Sequence, residues 1–189
     1  MPTSSATVLV PTGTWEIDPS HSSVNFSARH LMVSKVRGRF TSFQGTFTVP
    51  EDALQSSVEV VIDAASIDTR DENRDTHLKS ADFADVEHYP TITFTSTEVT
   101  DLDGGEFTLK GNLTIQAVTR PVELKVQFQG VQQDPWGGTR AGFDAKTEFN
   151  RRDFGLTWNV ALDGGGVLVG EKVTIELEVE AVKKAEPTD

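Results

Sequence analysis

The stretch from Lys172 to Val182, KVTIELEVEAV, alternates apolar and polar residues without a break. Successive side chains of an extended strand point to opposite faces. Val173, Ile175, Leu177, Val179 and Ala181 therefore share one face, and Thr174, Glu176, Glu178 and Glu180 the other. A helix of period 3.6 would scatter the same residues around its axis. The pattern recurs along the chain. In PVELKVQFQ, Val122, Leu124, Val126 and Phe128 oppose Glu123, Lys125, Gln127 and Gln129. In EFTLKGNLTIQ, Phe107, Leu109, Leu113 and Ile115 oppose Thr108, Lys110, Asn112 and Thr114. Shorter runs obey the same rule at Val24 and Phe26, at Val58, Val60 and Ile62, and at Phe143, Ala145 and Phe149. The run from Phe40 to Val49 carries Gly45 inside it, where a bend or bulge is expected. Several runs reach ten residues, or about 30 Å of strand.

Strands with one apolar and one polar face suit an antiparallel sheet that is wet on one side. Turn signals separate them at Asp103-Gly104-Gly105, Pro135-Trp136-Gly137-Gly138 and Asp163-Gly164-Gly165-Gly166. About eight such strands bury their apolar faces, and lose their exposed edges, by curling into an antiparallel β-barrel. A two-sheet sandwich is the competing solution. One segment breaks the period: from Arg70 to Asp82 there is no Gly or Pro, and Thr69 followed by Glu72 has capping-box spacing. A single helix over 70–82, with Thr69 as N-cap, is expected to close one end of the barrel. Residues 1–13 and 185–189 read as flexible tails around a single domain over 14–184.

The net charge of −12 excludes nucleic acid as a partner and argues against electrostatic docking on anionic lipid. With no cysteine there is no disulfide, thiolate nucleophile or Cys-ligated metal. No segment is long and apolar enough to span a bilayer, so stable membrane insertion is not expected. The start MPTSSATVLVPTG lacks a basic region, and Val8-Leu9-Val10 is too short for a signal-peptide core; the expected location is cytoplasmic. The four histidines match no compact metal-ligand motif, and neither metal nor cofactor is called for. Ser20-His21-Ser22 has no nucleophile elbow around it, and Asp18-Pro19-Ser20 reads as turn chemistry. Asp75 and His77 stand two apart, so on a helix they diverge and make a poor dyad. His77 and Leu78 are expected to face the sheet, with Asp75 capping or pairing with an Arg. Arg151, Arg152 and Asp153 fit either a ligand headgroup at a barrel mouth or surface ion pairs.

Four ordered blocks carry a family resemblance: WEIDPSHSSVNFSARHLMVSKVRGRFTSFQG (15–45); DT (68–69) with RDTHLKSADF (74–83) and YPTITFTS (89–96); KGNLTIQAVTRPV (110–122); and RDFGL (152–156). Together they resemble the YceI-like family of polyisoprenoid-binding proteins, from Thr14 to Val182. The resemblance implies an extended, lipocalin-like antiparallel barrel with a helix beside it and a long apolar ligand in its lumen. Many relatives carry a secretory leader, so a periplasmic role is not carried over.

An eight-stranded barrel is wide enough to be filled by its own side chains or to hold one slim ligand. Eleven Phe against one Tyr offer a wall without polar handles. The expected function is transport or sequestration of a polyisoprenoid or other long-chain lipid. Expected wall residues are Phe26, Phe40, Phe43, Leu78, Phe83, Phe94, Leu113, Ile115, Phe128 and Phe154, with His30, Asp75 and His77 at the mouth or as polar contacts. The alternative is an enzyme acting on a hydrophobic substrate in the same barrel, with His30 or His77 as acid or base. A third reading is a stress-related scaffold with a filled core. The sequence leaves homodimerisation open.

Overall fold

The computed structural model describes residues 10–186. Eleven strand segments form one sheet: β1 (Gly13–Ile17), β2 (Ser23–His30), β3 (Ser34–Phe40), β4 (Phe43–Val49), β5 (Ser57–Asp63), β6 (Ile67–Asp68), β7 (Thr91–Asp103), β8 (Glu106–Ile115), β9 (Val118–Gln133), β10 (Thr139–Asn150) and β11 (Val169–Lys183). Their order is β1-β4-β5-β7-β8-β9-β10-β11-β2-β3-β6, and β1 also pairs with β11. That extra pairing closes the ring β1-β4-β5-β7-β8-β9-β10-β11 into an antiparallel barrel of eight strands.

The remaining segments are continuations. β1 and β2 lie end to end along the same edge of β11, where Ile17 faces Ala181 and Ser23 faces Glu178. β3 and β4, and likewise β5 and β6, are halves of bent strands. Two of these bends are short 3-10 turns started by an aspartate: Asp18 accepts from the Ser20 N–H and Asp63 from the Ala65 N–H. The carboxylate satisfies a donor that the interrupted ladder leaves free. The barrel is therefore the expected one, and the sandwich is not formed. Its strands are long, with 16 residues in β9 and 15 in β11.

Three local expectations are corrected. The helix, α1, spans Glu72–Lys79 rather than 70–82, and its N-cap is Asp71, which accepts from the Arg74 N–H. Arg70 turns the chain through a left-handed φ of 63°, which leaves Thr69 buried beneath the helix instead of at its start. Gly45 makes no bulge. It pairs in register with Val60, and a β-carbon there would lie 2.6 Å from Ile17 Cδ1, so the glycine permits close approach; the bend falls at Thr41 and Ser42. Thr108, on the polar face of β8, is fully buried because the Lys125 ammonium folds over it and donates to its Oγ1 at 3.1 Å.

One end of the barrel is filled. Trp15 stacks on Phe47 at 5.8 Å, Phe143 meets Phe47 edge-on, and Val10, Val49, Ala141 and Ala181 complete the buried cluster. Val10 is thus packed, and β1 begins at Gly13, inside the stretch expected as a tail. The rest of that stretch, 1–9, and residues 187–189 lie outside the described residues.

Candidate functional site

Inward positions of every strand line a cavity of about 340 Å³ that runs along the barrel axis. Its walls are hydrocarbon and aromatic; among the described residues the exceptions are Ser56, Thr147 and Arg151. The period-two pattern explains this wall, since each strand that turns its charges to water must turn Val, Leu, Ile or Phe inward. Two of the largest wall residues lie over glycines. The Phe26 ring covers Gly38, and the Phe94 ring covers Gly111; a β-carbon at either glycine would collide with the ring. A larger concavity, of about 620 Å³, lies on the outer face of β8 to β11 among Asp101, Lys125, Lys146 and Glu176, and is a groove between solvated charges.

Of the residues expected at the wall, Phe26, Phe40, Phe43, Leu78, Phe83, Phe94, Leu113 and Ile115 line the cavity. Phe128 does not. It packs on Phe143 at 5.4 Å, where β9 runs past the filled end. Phe154 does not either: it is fully buried in the 3-10 turn Arg151–Phe154, edge-on to Phe149 at 5.0 Å, behind the wall rather than in it. His30, Asp75 and His77 are also absent from the lining. His30 is the last residue of β2. Asp75 is a structural acceptor, taking hydrogen bonds from the Thr69 N–H at 2.9 Å and the Thr69 hydroxyl at 2.5 Å.

His77 caps the helix end of the barrel from outside. Its ring stands edge-on to Trp158 at 4.5 Å and to Phe83 at 5.1 Å, and its Nε2 lies 2.9 Å from Asp82 Oδ2. Phe83, which does line the cavity, is held further by the Gln116 amide, which donates to its carbonyl. The sequence spacing argues against Asp75 as the partner of His77 and names no other. The partner is Asp82, beyond the helix C-cap, and Trp158 comes from a loop 81 positions away; no periodicity points to either.

Arg151 is the other feature that sequence reasoning did not place. Its side chain is 97% buried at the same end of the cavity, with Nε donating to the Gly170 carbonyl (2.9 Å), Nη1 to those of Leu156 (2.7 Å) and Trp158 (2.9 Å), and Nη2 to that of Val169 (3.2 Å). No carboxylate pairs with it among the described residues. Burial lowers its pKa from the ordinary value, yet an arginine stays charged. Four carbonyl dipoles, with the Phe83 ring 6.0 Å away, replace its water. Arg152, the next residue, points outward and pairs with Glu171 at 3.0 Å. The pair expected to act together is thus divided between interior and surface.

Outside the cavity, Asp18, His21 and Glu180 come close enough to share a cation. The Arg140 guanidinium already bridges Asp18 (2.9 Å) and Glu180 (2.8 Å) and reaches Asp134 at 3.0 Å. The Ser20 hydroxyl, then His21 and Arg140, hold the Asp18 carboxyl well below the usual carboxylate range.

A closed barrel around an apolar cavity defines the chain as a lipocalin-like β-barrel of the ligand-holding kind. The YceI-like domain family matches residues 15–181, and the chain belongs to that family. It is similar to a UPF0312 protein of Vibrio cholerae, 42% identical over 87% of this chain and 84% of that one. It is also similar to the protein YceI of Salmonella newport, 38% identical over 95% and 94% of the two chains. Among solved structures, the YceI protein of Campylobacter jejuni superposes with a TM-score of 0.70 at 27% identity, covering 83% and 90%. A polyisoprenoid binding domain from Saccharophagus degradans shares the fold, with a TM-score of 0.67 at 13% identity over 90% and 98%.

Proposed function

We propose that this protein binds a long-chain apolar ligand, most fittingly a polyisoprenoid, along the axis of its barrel, and acts as a carrier or store. The observation that carries this reading is the cavity itself, which lies inside the barrel and is lined by hydrocarbon and aromatic side chains apart from Ser56, Thr147 and Arg151. Its volume lies at the small end of the ligand-site range of roughly 300–1,000 Å³. A linear lipid that buries some hundreds of Å² gains on the order of 10 kcal/mol gross at ~25 cal/mol/Å², and ordering the chain subtracts several of these. The fold shared with a polyisoprenoid binding domain supports the same cargo. Binding rather than chemistry is favoured because none of the cavity-lining residues is a histidine or a carboxylate. His77, the acid–base candidate, is turned to Asp82 outside the wall.

The test is mass spectrometry of organic extracts of the purified protein, together with titration of the delipidated protein with a polyprenol. One chain-like lipid per protein is expected. Ala145→Trp, which puts an indole into the lumen, should lower uptake at least tenfold while the circular dichroism stays that of a barrel. A clean extract combined with no uptake of polyprenol by the wild-type protein defeats the proposal.

A further inference from the structure

The hairpin of β2 and β3 differs from the rest of this acidic protein. From Pro19 to Pro50 the chain has no Asp or Glu and has four Lys or Arg: Arg29, Lys35, Arg37 and Arg39. Register places Arg29 directly opposite Lys35, Ser27 opposite Arg37 and Asn25 opposite Arg39. All four cations are exposed, and they share the outer face because Phe26, Ala28, Phe40 and their neighbours turn inward. Like charges set directly across an antiparallel pair repel. Arg39 alone has a carboxylate partner among the described residues, Asp68 at 3.4 Å. Of the other acids that the topology brings alongside, Glu171 is taken by Arg152, Glu176, opposite Asn25, lies 3.8 Å from Lys146, Glu178 faces Ser23 at the end of β2 away from the tip, and the facing loop 156–168 contributes Asp163 alone. The remaining acids spread over the rest of the barrel. At physiological ionic strength their influence is screened beyond about 8 Å, so the local sign governs contact at this hairpin.

The tip carries the second, independent feature. His30 to Val33 form a β-turn within a three-residue loop, since His30 pairs with Ser34; φ is 51° at Leu31 and 63° at Met32, and the Val33 N–H donates to the His30 carbonyl. This turn type favours Asn-Gly, because both central residues need a left-handed backbone. Here it holds Leu and Met, followed by Val. Leu31, Met32 and Val33 are 41%, 56% and 79% exposed, and Val160 beside them is half exposed. Bulky apolar residues are thus held in a disfavoured conformation, facing water, at the apex of a basic ribbon.

We propose that this hairpin docks the protein on anionic lipid membranes, with the apolar tip at interfacial depth and the four cations against the headgroups. An apolar wedge flanked by basic residues fits that partner, since the wedge gains by leaving water and the cations by meeting phosphates. The overall charge of −12 does not prevent this, because most of the acids lie away from the hairpin and the nearest, Asp68, Glu171 and Glu176, each face a cation. The hairpin also leads to the cavity. The Leu31 N–H donates to the Leu168 carbonyl at 2.9 Å, Met32 lies over Gly166, and the same loop supplies Leu156 to the cavity wall. Docking would bring the Arg151 end of the lumen to the bilayer. The use of docking for loading or release rests on the carrier reading above; the docking itself does not.

The experiment is co-sedimentation with vesicles of phosphatidylcholine alone and with about one third phosphatidylglycerol, in 0.1 and 0.5 M NaCl. It is run on the wild-type protein, on Leu31→Asn/Met32→Gly, and on Lys35→Gln/Arg37→Gln. The first variant installs the residues that the turn prefers, so it keeps or raises the melting temperature. Polyprenol uptake, measured in the same samples, is expected to be unchanged in both variants. The expected result is binding to the anionic vesicles only, weakened by salt and at least tenfold weaker in each variant. Docking that persists in a protein that takes up no polyprenol leaves the hairpin proposal standing and removes the carrier reading. No preference of the wild-type protein for anionic vesicles overturns the proposal. So does binding that both variants retain, or a dimer in sedimentation velocity that the tip variant dissolves without any vesicle binding.

Discussion

Arg151 and Arg152 are adjacent and chemically identical, yet one is buried against four carbonyls and the other lies in water beside Glu171. The carbonyls of Leu156 and Trp158 belong to a loop, and those of Val169 and Gly170 to the start of β11 where it ends; the planar fork of a guanidinium satisfies all four from one point. An ammonium has three donors and no fork. Arg151→Lys is therefore expected to cost at least about 3 kcal/mol, since buried hydrogen bonds to a charged group contribute ~1.5–3 kcal/mol each. Urea denaturation would measure it, and the loss of edge contacts should appear as a change in Trp158 fluorescence. A Lys variant as stable as the wild-type protein would show that the loop closes without the fork. Glycine carries a similar lesson. Gly38 and Gly111 lie inside β3 and β8, where a glycine packs nothing of its own, yet each is the space into which a wall phenylalanine folds. Gly111→Ala must displace Phe94 or the Thr95 carbonyl, an overpacking that costs ~1–3 kcal/mol, read as a lowered melting temperature.

At the scale of elements, α1 is the one unit that cannot be held by an apolar stripe. Its eight residues, ENRDTHLK, include Leu78 as the sole apolar side chain. Polar anchors hold it instead: Asp71 at the N-cap, Asp75 reaching back to buried Thr69, and Arg74 donating to the Thr69 hydroxyl and carbonyl at 2.7 and 2.8 Å. The two aspartates should differ on removal. Asp71→Ala loses an exposed cap, worth ~1 kcal/mol. Asp75→Ala strands a buried N–H and hydroxyl, each costing ~1–3 kcal/mol. Equal effects in denaturant titrations of the two variants would refute this account. The capping-box spacing of Thr69 and Glu72 was present in the sequence and was overridden, because Thr69 was needed beneath the helix as an acceptor for Arg74.

For the whole molecule, the seam is the vulnerable place. Arg140 on β10 joins Asp18, between β1 and β2, to Glu180 on β11 and to Asp134 in the β9–β10 turn. These are the strands whose pairing closes the barrel. Asp18 has its pKa lowered by folding, so its contribution is complete above the ordinary carboxylate pKa near 4 and is lost as pH falls through the lower folded value. Asp134, lowered first by the Gly138 N–H and then by Arg140, acts in the same direction. The urea midpoint of the wild-type protein should fall steadily below about pH 4. Asp18→Asn should be less stable at pH 7 and show a flatter acid limb. An unchanged acid limb in that variant would place the acid sensitivity elsewhere.

The alternation of apolar and polar residues determined, by itself, that the chain is antiparallel, that it needs about eight long strands, and that a greasy face must be hidden. Each of these follows from the pleat, which is local. It also identified six of the wall residues, Phe26, Phe40, Phe43, Phe94, Leu113 and Ile115, because inward-facing positions on a strand are fixed by parity; Leu78 and Phe83 lie outside the strands. Parity could not tell which inward residues would meet the open lumen and which the filled end, so Phe128 was misplaced; Phe154 was misplaced because it lies in a 3-10 turn, where parity does not apply. Nor could it join His77 to Asp82 and Trp158, or send Arg151 inward and Arg152 outward. Those outcomes depend on closure and on loop contacts between residues far apart in the chain. They were decided only when β1 met β11 and the ends of the barrel acquired particular neighbours.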